Sequence, residues 1–233
     1  MIQPSTAAAA PSSGASWDPA WETVYRTQAW GQYPSEHVIR FVARRWYRVA
    51  DRSRVRLLDL GSGPGATTWY VAREGFSAAA IDGSTTAIQQ LETRLSKDGL
   101  IVDAAVGDLA ALPWPDASFD GVIDNASMYA NRYADCERII REVRRVLKPG
   151  GAFFSASFTD RTWGYGTGTV VEPGGYTDIP EGPLAGKGMS LFFSRARLTE
   201  LLRSFASTHM ERAAWTLGEE QHTVEMWIVS CER

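Results

Sequence analysis

The chain has 233 residues, enough for one sizeable α/β domain with its own core. A formal net charge of -3, with basic residues scattered, argues against a nucleic-acid surface, and no apolar run nears the roughly 18 residues of a membrane span. The two cysteines, Cys136 and Cys231, give neither a metal-binding spacing nor a disulfide framework, and read as free thiols in a reducing cytoplasm.

Residues 1–16 are rich in Ala, Ser, Pro and Gly. They lack a basic start and an apolar centre, so they read as a floppy tail, not a signal peptide. Val38, Ile39, Val42, Trp46 and Val49 recur at helical spacing and predict a helix over 36–50, within a covering segment 17–50. Val55 to Leu60 reads as a strand with Asp59 at its tip, followed by a helix from about 65 to 75. A second strand, 78–81, closes on Asp82. Ser84 is a candidate N-cap for a helix carrying Ala87, Ile88, Leu91 and Leu95 on one face. Strands follow at 101–106 and 119–124. Ile139, Ile140, Val143, Val146 and Leu147 mark a helix stopped by Pro149-Gly150-Gly151, and 152–157 is a fifth strand. Residues 159–190 hold eight glycines with Trp163, Tyr165 and Tyr176, the composition of a lid or binding loop. Leu198, Leu201, Leu202 and Phe205 form a helical stripe in 159–208, and 209–233 reads as a hairpin. Alternating strands and helices predict parallel βαβ units in a doubly wound sheet of a single domain, 17–233, with ligands at the carboxyl ends of the strands.

The chemistry concentrates where the first strand meets its helix. Gly61, Gly63 and Gly65 alternate there, so a ligand can rest on bare main chain. Gly61, Gly63 and Ala66 also satisfy the G-x-G-x-x-A spacing of nicotinamide-binding folds. Asp82 lies 17 positions beyond Gly65, where a carboxylate can accept hydrogen bonds from both hydroxyls of a ribose. The loop alone therefore leaves two cofactor classes open.

Five pieces taken in order resemble one family, the class I S-adenosylmethionine-dependent methyltransferases, in their small-molecule branch. They are Asp59-Leu60-Gly61-Ser62-Gly63-Pro64-Gly65; Asp82; Gly107-Asp108-Leu109 with Leu112-Pro113-Trp114; Ser118-Phe119-Asp120-Gly121-Val122-Ile123; and Val146-Leu147-Lys148-Pro149-Gly150-Gly151. The resemblance covers 55–158. It implies a Rossmann-like doubly wound seven-stranded sheet, mostly parallel with an antiparallel edge hairpin strand, and S-adenosyl-L-methionine as cofactor. It implies that Gly61, Ser62 and Gly63 meet the methionine part, with Asp59 orienting the loop or the amino group. Asp82, beside Gly83, would hold the ribose, and Asp108 and Leu109 the adenine. Asn125 and Ala126, closing the fourth strand, would lie beneath the sulfonium. Related enzymes fold an N-terminal segment over the cofactor, which makes Tyr25 and Tyr33 candidate contacts.

The resemblance implies transfer of a methyl group to oxygen, nitrogen or carbon of a small acceptor, in a cytoplasmic protein without metal, nucleic-acid or membrane partners. Oligomeric state and acceptor stay open. His37, His222 and Tyr129 are the candidate catalytic groups, with His209 a weaker one. Tyr129, Trp163, Tyr165 and Tyr176 are expected to wall the acceptor, and Arg161, Arg195 and Arg197 are candidates for an anionic one. The alternatives are a nicotinamide oxidoreductase and a non-catalytic cofactor-binding module.

Overall fold

The structure, a computed structural model, describes residues 16–233. Strand β1 (Arg56–Leu60) sets its plan. Successive side chains of a pleated strand leave opposite faces. Leu57 joins Val38, Phe41 and Val71 on one side, while Leu58 and Leu60 join Ile139 and Val143 on the other. Both faces are covered, which suits a strand whose leucines point to both sides.

The sheet runs β3 (Asp103–Val106), β2 (Ser77–Asp82), β1, β4 (Phe119–Asn125), β5 (Leu147–Phe158), β10 (His222–Glu232) and β9 (Ser207–Leu217). The pairs from β3 to β5 are parallel. Strand β10 is antiparallel to both β5 and β9. The expected seven-stranded sheet with an edge hairpin is present, with β9 as the outermost strand.

Helices α2 (Glu36–Trp46) and α3 (Ala66–Arg73) bury their apolar stripes on the Leu57 side; α5 (Tyr133–Val146) and α6 (Arg195–Leu202) bury theirs on the Leu58 side. In α5 the buried set is Cys136, Ile139, Ile140, Val143 and Val146, one face of a 3.6-residue period. Trimming such a residue to Ala costs about 2–5 kcal/mol. Ser84 caps α4 (Thr85–Lys97) as expected, its Oγ accepting from the Ala87 N–H at 3.1 Å. Ser35 caps α2 in the same way.

Three expectations shift. Helix α2 ends at Trp46, not near 50. Helix α5 begins at Tyr133 and ends at Val146, because Leu147 already pairs with Phe119 as part of β5. Pro149-Gly150-Gly151 therefore lies inside β5, where the register shifts between Phe119 and Gly121, a place that tolerates a residue lacking an N–H. Residues 159–190 carry most of a second, antiparallel sheet, β6 (Thr169–Glu172), β7 (Gly175–Thr177) and β8 (Ser190–Leu191). The segment braces the N-terminal cover: the Asp18 carboxylate accepts from the Met189 N–H at 2.8 Å. The tail expected over 1–16 lies outside the described residues, except for Ser16, which is buried. No helix among the described residues is long and apolar enough to cross a membrane.

Candidate cofactor and acceptor cavity

Strand β1 is flanked by β2 and β4, so the chain leaves its carboxyl end in opposite directions. A crevice opens at such a switch point. Here it is a cavity roofed by α1 (Ala20–Thr27) and the residues on either side of it. Its floor is the glycine loop. Gly61 has φ +69°, and a Cβ there would stand 2.2 Å from the Ser127 Cβ, so only glycine fits. Ser127 is fixed in turn: its hydroxyl lies 2.7 Å from both the Leu60 carbonyl and the Asp124 carboxylate.

Three buried carboxylates support this floor. Asp59 accepts from the N–H and hydroxyl of Thr68, at 2.9 and 2.6 Å, tying the end of β1 to the first turn of α3. Asp82 accepts from the Gly63 N–H at 2.8 Å and the Ser84 N–H at 2.9 Å, holding the loop to the end of β2. Burial raises the Asp59 carboxyl to about 7 against the opposing bonds from Thr68, and Asp82 to about 6 against those from Ser84 and Gly63. Burial likewise pushes Asp124 above the usual carboxylate range, opposed by bonds from Ser155 and Ser127. The ionisable lining groups are Asp18, Asp59, Asp82 and Tyr25; among the described lining residues none is Lys, Arg or His. Such a cavity favours a ligand that carries positive charge.

The roof is held by specific bonds. Glu22 of α1 accepts from the Ser84 hydroxyl at 2.5 Å and from the Thr86 hydroxyl, at the start of α4. Trp21 and Tyr25, four apart, fall on the buried face of α1. The Tyr25 hydroxyl stands 3.0 Å from where a Gly63 Cβ would be, directly over the loop. Trp17 lies so close to Gly83 that a Cβ there would be 2.5 Å from its ring. At the rim, Ser16 donates its N–H (3.0 Å) and its hydroxyl to the Asp108 carboxylate. At the end of β4, Ala126 has φ +63°, a strained conformation for a residue with a Cβ and one that concentrates at functional sites.

The cavity gathers most of the cofactor residues expected from the sequence: Tyr25, Asp59, Gly61, Ser62, Gly63, Asp82, Gly83, Leu109, Asn125 and Ala126. Two stand outside its lining. Tyr33 is 75% exposed and packs edge-on against Trp69, because the loop leading to α2 turns its ring outward over α3. Asp108 is turned to Ser16 and the Ala110 N–H.

The acceptor and catalytic candidates fare differently. Tyr129 is buried behind the wall, edge-on to Trp21 and Phe158, and does not line the cavity. Trp163 stacks flat on His222 at 3.8 Å, where the small sheet docks on β10, so both are packing residues. Tyr165 and Tyr176 pack against each other and Phe192. His37 and His209 share a distant groove beside Phe154 and Ile228. Arg195 lies against Trp227, and Arg197 over the Tyr133 ring. The sequence reading missed Trp17, Trp21, Trp30, Ser127 and Asn131, all of which line the cavity. For Trp21 a signal existed, its spacing of four from Tyr25.

Comparison with known proteins agrees with this geometry. A family model described as a methyltransferase domain matches residues 58–155. The biotin biosynthesis bifunctional protein BioHC of Cellvibrio japonicus is 32% identical over 54% of this chain and 23% of its own length. A demethylmenaquinone methyltransferase of Renibacterium salmoninarum is 32% identical over 52% of this chain and 51% of its own. This chain thus spans about half, or less, of the length of these curated relatives. Among solved structures, a SAM-dependent methyltransferase from Methanosarcina mazei shares the fold, with a TM-score of 0.63 and 23% identity over 76% of this chain and 92% of its own.

Proposed function

We propose that this chain, whose residues 58–155 match a methyltransferase-domain model, transfers a methyl group from S-adenosylmethionine to a small-molecule acceptor held under α1. The observation that carries the reading is the acid-lined cavity over the bare Gly61–Gly63 main chain, with the Tyr25 hydroxyl facing it. The relative from Renibacterium salmoninarum, a demethylmenaquinone methyltransferase, supports a small acceptor.

Bound here, the cofactor supplies an electrophilic methyl group on a positive sulfur. The chain's own residues do the rest. Gly61 to Gly63 and Tyr25 would hold the methionine end, Asp82 the ribose, and Leu109 the adenine. The strained turn at Asn125 and Ala126 sets the floor beneath the reacting centre. Trp21, buried in the roof, keeps water from that side of the cavity, which would leave the acceptor atom poorly solvated. Positioning and desolvation of the acceptor are the contributions this reading asks of the cavity.

The nicotinamide reading is disfavoured by one contact. A dinucleotide pyrophosphate sits on a helix N-terminus. At the start of α3 the Thr68 N–H is already taken by the Asp59 carboxyl, so it is not free for a phosphate.

The test is calorimetric titration with S-adenosylhomocysteine and with NAD. Uptake of the first and not the second is expected; the reverse result overturns the reading. A non-catalytic module would bind the cofactor and methylate nothing in an acceptor screen with labelled cofactor.

A further inference from the structure

Helix α5 carries Arg141, Arg144 and Arg145 at positions i, i+3 and i+4, so the three share one face near its C-terminal end. With Arg233, which follows β10, and Ser204, just after α6, they line one small groove. Arginine supplies four of its five lining residues, and none of the described residues lining it is acidic. The whole chain has a formal net charge of -3, so general basicity does not account for this concentration.

One of the four is already spent. Arg145 holds Glu142 at 2.7 Å and Asp116 at 2.9 Å, and donates to the carbonyls of Leu112 and Trp114. Arg141, Arg144 and Arg233 make no ion pair among the described residues. Glu232, the residue before Arg233, pairs with Arg45, and Glu200 of α6 with Arg203. Glu137, one turn before Arg141 on α5, pairs with none of the three. Two of these side chains are held against the protein: Arg233 donates from Nη1 to the carbonyls of Arg145, at 3.3 Å, and Leu147, and the Arg144 Nε is buried. A helix C-terminus offers such cations only about half a negative charge. Three guanidiniums in one groove exceed that, and the surplus is what an anion would neutralise.

We propose that Arg141, Arg144, Arg233 and the Ser204 hydroxyl form a second binding site, for the phosphate group of a small phosphorylated molecule. Planar guanidinium forks and a hydroxyl match the several acceptor oxygens that a phosphate presents. A small ligand fits this groove better than a membrane or a protein, because it has no apolar anchor: none of the exposed large hydrophobic side chains lines it. The site is separate from the acid-lined cavity. Arg233 reaches the carbonyl of Leu147, where β5 begins, whereas the cavity opens beyond the carboxyl end of β4 at Asn125 and Ala126. Strands β4 and β5 run parallel, so these are opposite edges of the sheet. The inference therefore does not depend on what the cavity binds.

The experiment uses the full chain labelled with ¹⁵N-arginine, at constant ionic strength. The probes are inorganic phosphate and methyl phosphate, with chloride as the control. Both phosphates are expected to move the side-chain N–H signals of Arg141, Arg144 and Arg233, each identified by its absence in the Gln variant, along a saturating curve with a dissociation constant of about 1 mM or lower. Arg141→Gln, Arg144→Gln and Arg233→Gln should each weaken binding by about tenfold, and Ser204→Ala by about threefold. Arg141 is exposed on its helix, so its variant remains informative where one of the more buried positions fails to fold. Arg40→Gln, at a surface arginine paired with Glu36, should leave binding unchanged. Signals that drift without saturating, that chloride moves equally, or that Arg40 shares would mean an adventitious ion only and overturn the inference. Binding of inorganic phosphate without methyl phosphate would also overturn it, since the groove would then have no room for the rest of a phosphorylated molecule. Sedimentation with phosphatidylserine vesicles that Arg141→Gln abolishes would assign this face to a membrane instead.

Discussion

Ser16 gives both its backbone N–H and its hydroxyl to the carboxylate of Asp108, across 92 positions of sequence. On the proposed reading this carboxylate accepts from the adenine amino group, so Ser16 and the cofactor compete for one acceptor. Ser16→Ala removes one competing donor and is expected to raise affinity for S-adenosylhomocysteine about two- to tenfold. Asp108→Ala should lower it by about 1–2 kcal/mol. Calorimetry reads both. A lower affinity in Ser16→Ala would mean that Ser16 belongs to the cofactor cradle and does not compete with it.

The buried acids make stability depend on pH with an unusual sign. An unfolded Asp titrates near 3.9. In the folded chain burial lifts Asp59 to about 7 and Asp82 to about 6. Between roughly pH 4 and 7 the folded state thus binds more protons at these sites than the unfolded state. Each lowers stability as pH rises through that window, by roughly 3–4 kcal/mol apiece, with a plateau above. Carboxylates in surface ion pairs act in the opposite sense, so the useful quantity is a difference between variants. Asp59→Asn keeps an oxygen for Thr68 and cannot ionise. Its urea-unfolding free energy should fall less than the wild type's between pH 4.5 and 8. Parallel curves would remove Asp59 as a source of the dependence.

The parts of the site that were legible in the sequence are those set by local backbone demands. Gly61 and Gly63 are legible because the turn after β1 needs left-handed φ and close approach. Asp59 and Asp82 are legible because each is a lone acid at or next to the carboxyl end of its strand. Ser84 is legible because a cap acts within three residues. What failed depends on where a loop side chain points. Tyr33 and Tyr25 are both aromatic residues of the N-terminal segment, yet one faces solvent and the other the loop, and no periodicity reports on Tyr33. The aromatic richness of 159–190 suggested an acceptor wall, but Trp163, Tyr165 and Tyr176 satisfy one another, His222 and Phe192. Asn131 carries no pattern at all; only the two carbonyls that orient its amide mark it out.

Glu22 is the fastening of the roof. Its carboxylate takes the hydroxyls of Ser84 and Thr86, linking α1 to the N-terminus of α4, where negative charge is favoured. Glu22→Ala should loosen this contact by about 1 kcal/mol. The expected signs are faster hydrogen exchange in residues 20–27 and a several-fold weaker affinity for S-adenosylhomocysteine, with the global melting temperature nearly unchanged. Exchange rates equal to wild type would show that ring packing alone holds α1.

Tyr25 and Tyr33 make a matched pair for separating a hydroxyl contact from mere aromaticity. The Tyr25 hydroxyl overlooks Gly63 and is buried, and burial raises its ionisation far above the ordinary tyrosine range, followed by repulsion from Asp82. It therefore stays protonated and can only donate to an anionic group such as the cofactor carboxylate. Tyr25→Phe is expected to weaken binding of S-adenosylhomocysteine by about 1–2 kcal/mol while leaving the fold intact, since the ring contacts with Trp21 and Trp30 remain. Tyr33→Phe, at an exposed ring against Trp69, should leave the dissociation constant within experimental error. Equal losses in both variants would put Tyr33 back over the cofactor. No loss in either would assign the methionine end to the main chain of the glycine loop alone.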